Sequence, residues 1–242
     1  MAKATRRSSL DDRHAAVPSI WDLPARGLRG PQPRFSRAQV AAAAIAIADR
    51  DGLDRVTVRE VASALGMAPM TLYGYVPGRE HLGQLMIDAL AGEYSYPEVP
   101  PADRTAAVIA LAVQGRDIAR RHPWLAQLTA SGPVVPGPNG LRYLDYFVGL
   151  LAGPDIDTGA CFELIALISG FATMFGAMLT TPARQASAPA AAITAAAATG
   201  QYANLAAATG GAGPPRSDED VFRSCVTHLI NALYPRRPGG AH

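Results

Sequence analysis

Apolar residues recur at helical spacing along most of this chain and β-branched runs are rare, so the pattern predicts an all-α fold. The first helix starts at Ser36. Ser36 and Gln39 have capping-box spacing, and Val40, Ala43, Ala44 and Ile47 follow on one face until Asp51-Gly52 ends it. Thr57 and Glu60 repeat the capping spacing ahead of Val58, Val61, Ala62 and Leu65. Gly66 then suits the left-handed residue after a helix, and Pro69 suits the first turn of a new one. That short helix is expected over Pro69–Val76 with Leu72 and Val76 inward. Pro77-Gly78 stops it. A fourth helix with Leu82, Leu85, Met86, Ala89 and Leu90 inward is expected to reach about Tyr94.

Pro97, Pro100 and Pro101 mark a boundary, after which the helical pattern resumes from Asp103 to Arg121. A short helix starts at Pro123-Trp124, and Gly132–Gly140 reads as a loop. Leu141–Leu151 is the next helix, with Leu144, Phe147, Val148 and Leu151 together. Asp157 or Thr158 can cap a long apolar helix that stops before Pro182. Residues 183–216 are Ala-rich with Pro and Gly, and helical at most around Ala190–Ala198. Ser217 caps a last helix whose acidic first turn, Asp218 to Asp220, complements the helix dipole. Its apolar residues are Val221, Phe222, Cys225, Leu229 and Leu233. Three regions are therefore expected: a flexible basic arm over 1–33, a helix-turn-helix domain over 34–96 and a second helical domain over 97–242.

Composition sharpens this in four places. Cys161 and Cys225 lie far apart in apolar segments with no CxxC pair, which fits reduced thiols in a cytoplasmic protein. The first thirty-odd residues lack the apolar stretch of a secretory signal. Leu164–Thr181 is uncharged and near bilayer-spanning length, but no basic cluster or aromatic belt flanks it. A helix buried in a core or a subunit interface is the expectation, not a membrane span. Net charge is +2, and residues 1–33 hold six basic against three acidic residues. Residues 34–96 hold six Arg against seven acids, so contacts to polyanions there depend on where a few Arg point.

The helix, tight turn and short helix of Thr57–Arg79 have the geometry that presents one helix to a DNA major groove. Inward Leu72 and Val76 leave Met70, Thr71, Tyr73, Gly74 and Tyr75 on the open face. Thr71 can bond base edges or phosphate, Met70 can touch a thymine methyl, and the two Tyr can donate to phosphate. Thr57 and Arg59 at one helix start and Arg79 at the next can hold phosphate on either side. No Gly-rich phosphate loop, HExxH, GxSxG or acidic metal motif supports catalysis, although a helical enzyme is the competing class. No carboxylate cluster or His pair suggests a metal, and no cofactor is expected.

Residues 41–90 resemble the tetracycline-repressor (TetR) family of bacterial regulators, most specifically in ADRDGL, TVREVASALG and TLYGYVPGREHL. The resemblance implies that Thr57, Arg59, Pro69, Met70, Thr71, Tyr73, Tyr75 and Arg79 fall where the family contacts double-stranded operator DNA. Tyr75 stands where His is frequent and Arg79 where Lys is frequent, so base preference does not carry across. RHPWLAQL, GPNGLRYLDYFVGLLAG and the long apolar helix look like the family's C-terminal domain. That implies a homodimer, with the long and terminal helices pairing between subunits, and a small-molecule effector. Large side chains on the enclosing helices are the candidate effector contacts: Trp124, Tyr143, Phe147, Phe171, Met174, Phe175 and Met178. The implied role is a ligand-responsive repressor, with an activator of the same fold as the alternative.

Overall fold

The computed structural model describes residues 19–23, 35–74, 76–99, 101–132, 135–151, 157–180, 188–210 and 216–233. Among them are eleven α-helices and no strand. The head comprises α1 (Arg37–Asp51), α2 (Val58–Ala64), α3 (Pro69–Tyr73) and α4 (Arg79–Ala91), with a 3-10 turn at Leu53–Arg55. Its boundaries follow from local chemistry. Ser36 and Gln39 form the reciprocal capping box at α1. The Thr57 hydroxyl accepts the Glu60 N–H at 3.1 Å to start α2. Gly66 takes φ +64, a value that suits glycine, and turns the chain into α3, which opens with Pro69. α3 is shorter than expected, ending at Tyr73, although the Val76 N–H still bonds the Leu72 carbonyl. α4 also stops early, at Ala91, where Gly92 closes the helix.

The body comprises α5 (Arg104–Arg121), α6 (Trp124–Ala130), α7 (Pro138–Leu151), α8 (Thr158–Met178), α9 (Ala188–Ala198), α10 (Ala203–Gly210) and α11 (Asp218–Leu233). Asp103 caps α5 and Asp157 caps α8 through their carboxylates. α7 begins inside the stretch expected to be loop, because Pro138 suits a first helical turn and Asn139 and Gly140 are held by Asp88 of α4. α10 was not legible as a helix; its Ala-rich segment packs mainly with α9.

Two clusters of buried side chains run through the molecule. The first joins the head (Val40, Val61, Leu72, Val76, Leu82, Met86) to the end of α5 and to Trp124 and Leu125 of α6. The second lies between α5, α7, α8 and α11 around Phe147, Leu164, Ile168 and Phe222. α5 and α8 form the most extensive helix pair, and Gly176 makes it possible: a Cβ there would strike the Arg116 backbone carbonyl and the Ala119 methyl. α8 is long and apolar enough to cross a membrane, but Leu164, Ile165, Ile168 and Ala172 are buried against its neighbours. Glu163, Leu167, Gly170, Met174 and Met178 form an exposed outer strip on it.

α11 settles with Phe222, Val226 and Ile230 buried, which leaves Cys225 and Leu229 half-buried. Arg116, itself buried, ties α5 to it by pairing with Asp117 at 3.0 Å and with Glu219 while its guanidinium stacks over Phe222. Residues 19–23 of the arm are not loose: Ile20 is fully buried and its N–H donates to Gln84 Oε1 at 2.7 Å. The rest of the arm lies outside the described residues.

Candidate nucleic-acid interface and cavity

α3 is anchored from beneath by Leu72 and Val76, both fully buried, so its other side chains have nowhere to go but outward. Met70 is 79% exposed and Tyr73 45% exposed. Thr71 and Gly74 are exposed as well, and Pro69 is half-buried at the helix start. Tyr75 lies outside the described residues. Thr57 and Arg59 are exposed at the start of α2. The outward set thus has an apolar tip, hydroxyl donors and one guanidinium, the kinds of group that contact base edges and phosphate.

Arg79 differs from the others. Its Nη2 donates to the Leu53 carbonyl at 2.9 Å and meets Asp54 at 3.4 Å, so it braces the 3-10 turn against α4 while about half of the side chain meets solvent. That bracing could not be read from the sequence, because Leu53 and Arg79 meet only once α1 and α4 have packed.

The body holds a cavity of about 590 Å³, partly open to solvent, between α4, α5, α6, α7 and α8. α4 contributes Ile87, Asp88, Leu90 and Ala91, so the helix that carries the head also walls the cavity. Tyr94 and Tyr143 line it with ring centroids 4.7 Å apart. The Tyr143 hydroxyl shares a 2.8 Å hydrogen bond with Ser169, another lining residue. Burial pushes the Tyr143 hydroxyl up to about 12 and raises that of Tyr94 well above its ordinary value, so both are neutral at physiological pH. Gly115 lets the Tyr94 hydroxyl approach α5, since a Cβ would collide with it.

Of the seven candidate effector residues, Tyr143 lines this cavity and the others lie elsewhere. Trp124 packs into the core beneath the head, and its Nε1 donates to Asp49 Oδ1 at 2.7 Å. His122 Nδ1 meets the same oxygen at 2.7 Å. Phe147 is fully buried, edge-on to Tyr143. Phe171 stacks on Phe222, and Phe175 meets it at a tilt, between α8 and α11. Met174 and Met178 face outward, on the exposed strip of α8. Sequence reasoning missed Asp88 and Tyr94; the signal available for Asp88 was a lone acid near the end of an otherwise apolar helix face.

Head and cavity together define a class: a helix-turn-helix head joined through one shared helix to an all-α body that holds a cavity. Residues 40–84 match the profile described as bacterial regulatory proteins, tetR family, and residues 96–233 match the tetracyclin repressor-like C-terminal domain; the chain belongs to the tetR family. It is 33% identical over 175 residues to the HTH-type transcriptional repressor DrrR1 of Streptomyces coeruleorubidus. That match covers 70% of this chain and 63% of the relative, so the chain spans under two thirds of the relative's length. Apo ActR of Streptomyces coelicolor superposes with TM-score 0.71 at 22% identity, over 85% of this chain and 97% of that one. ActR in complex with actinorhodin gives 0.68 at 22% identity, over 87% and 100%. At that identity the likeness concerns the fold.

Proposed function

We propose that this chain is a homodimeric, ligand-responsive DNA-binding regulator of transcription, a repressor that a small, largely apolar effector releases from its operator. The observation that carries the reading is the double role of α4. Its first turns support the reading helix, and its last two turns wall the cavity. A molecule that fits one position of α4 better than another changes the spacing of two heads in a dimer, and only such differential affinity can drive release. Contacts to DNA are assigned to Thr57, Arg59, Pro69, Met70, Thr71, Tyr73, Tyr75 and Arg79. The name of the relative from S. coeruleorubidus, a transcriptional repressor, supports the sign of regulation.

The dimer is assigned to the outer strip of α8 together with the half-buried Cys225 and Leu229 of α11. Leu167, Met174 and Met178 are each more than half exposed there, and Gly170 permits close helix approach. The purified full chain, used to select sites from random duplexes, should recover a pseudo-palindrome with half-sites about one helical turn or more apart. Output from a reporter under such a site should rise when the gene is deleted. Recovery of no preferred sequence would sink the reading, and a fall in reporter output would make the protein an activator.

A further inference from the structure

Among the described residues, the cavity wall holds one carboxyl group and no basic side chain. Asp88 is buried, 7% exposed, at the end of α4. No Lys, Arg or His among the described residues lines the cavity, and the two tyrosine hydroxyls are neutral. The partners of the carboxylate among the described residues are themselves neutral. Gly140 N–H donates to Oδ1 at 2.9 Å and Asn139 Nδ2 to Oδ2 at 3.2 Å. Asn139 Nδ2 also reaches the Asp88 backbone carbonyl at 3.1 Å. These donors open α7, so the carboxylate gains from the helix dipole, but no counter-cation meets it among the described residues. A buried carboxylate without a cation is costly, and it repels any anion brought into the same apolar space.

We propose that the effector is a planar organic cation, an amine-bearing aromatic molecule whose ammonium pairs with Asp88 while its rings lie among Tyr94, Tyr143 and the apolar wall of α8. This rests on the reading of the cavity as an effector site. The ammonium supplies the missing countercharge, and the tyrosine faces favour a cation over a neutral or anionic guest. The cavity volume of about 590 Å³ suits a molecule of three to five fused or linked rings. The same pairing gives the guest a route to the head. An ammonium competes with Gly140 and Asn139 for the Asp88 oxygens, and those bonds help hold the end of α4 to the start of α7.

The test compares three probes that share one ring system and differ only in charge: pyrenylmethylamine, pyrenylmethanol and pyrenecarboxylate. Binding to the purified full chain is followed by pyrene fluorescence at neutral pH. The amine should bind at least about tenfold more tightly than the carboxylate. In Asp88→Asn, which keeps an acceptor oxygen for Gly140, that preference should shrink to within about threefold. A carboxylate that binds wild-type protein as well as the amine overturns the proposal without any variant. So does an undiminished preference in Asp88→Asn whose circular dichroism and melting curve remain native. If the alcohol binds and the amine gains nothing over it, the cavity is an effector site and the cationic assignment fails. Should none of the three bind, the effector reading fails with it.

Discussion

Arg59 and Arg79 bear the same charge and are both exposed on the head, yet their surroundings predict different behaviour. Arg59 is exposed at the start of α2, whereas Arg79 is tied to Leu53 and Asp54. Arg59→Ala should weaken operator binding by about 1–3 kcal/mol. It should leave stability within about 0.5 kcal/mol, as a surface substitution does. Arg79→Ala should weaken binding and also lower the melting temperature, since it removes a charged donor from a backbone carbonyl. Gel-shift titration beside thermal melts of both variants decides this; equal melting temperatures would remove the bracing role assigned to Arg79. Leu72, by contrast, is wholly an anchor, and its truncation to Ala should cost roughly 2–5 kcal/mol and take binding with it through unfolding.

At the level of helices, the α5–α8 contact depends on a missing side chain. Gly176→Ala puts a methyl against the Arg116 carbonyl, which is backbone and cannot swing aside. The variant should lose about 1–3 kcal/mol in urea unfolding, and an unchanged midpoint would mean the two helices part easily. The α5–α11 contact has instead a signature in pH. Hydrogen bonds from Arg116 and Arg223 hold the Glu219 carboxyl below its ordinary range. A depressed folded value gives stability that is present above the unfolded carboxylate value, about 4.3, and is lost as pH falls through the folded one. The advantage of wild type over Glu219→Gln in melting temperature should therefore be full at pH 6 and shrink below about pH 4.3. A gap that stays constant down to pH 3 would show that the ion pairs contribute nothing. The helices themselves were largely legible, because caps such as Ser36, Thr57, Asp103 and Asp157 and breakers such as Gly66 act within a few residues. The cavity was not. Phe171, Trp124 and Tyr143 look alike along the chain, all large and apolar, and only packing decides that Tyr143 faces space, Phe171 meets Phe222 and Trp124 reaches Asp49. The buried line of α11 keeps Phe222 as expected but runs on through Val226 and Ile230 rather than Cys225 and Leu229, because its apolar stripe is broader than α5 and α8 cover.

For the whole molecule, the outer strip of α8 makes a prediction about assembly. Leu167→Glu or Met174→Glu places a carboxylate at the assigned subunit contact without touching either buried cluster. Sedimentation should then report monomers with native helicity, and operator affinity should fall with the loss of the second head. A dimer that survives both changes would move the contact elsewhere. The two faces of α4 carry a genetic consequence. Leu82 and Leu85 point into the head, while Ile87, Asp88 and Ala91, scarcely a turn further on, border the cavity. A screen for cells in which the controlled operon never switches off should collect lesions at the first pair. A screen for cells deaf to the inducer should collect them at the second group, so opposite phenotypes would map to neighbouring codons.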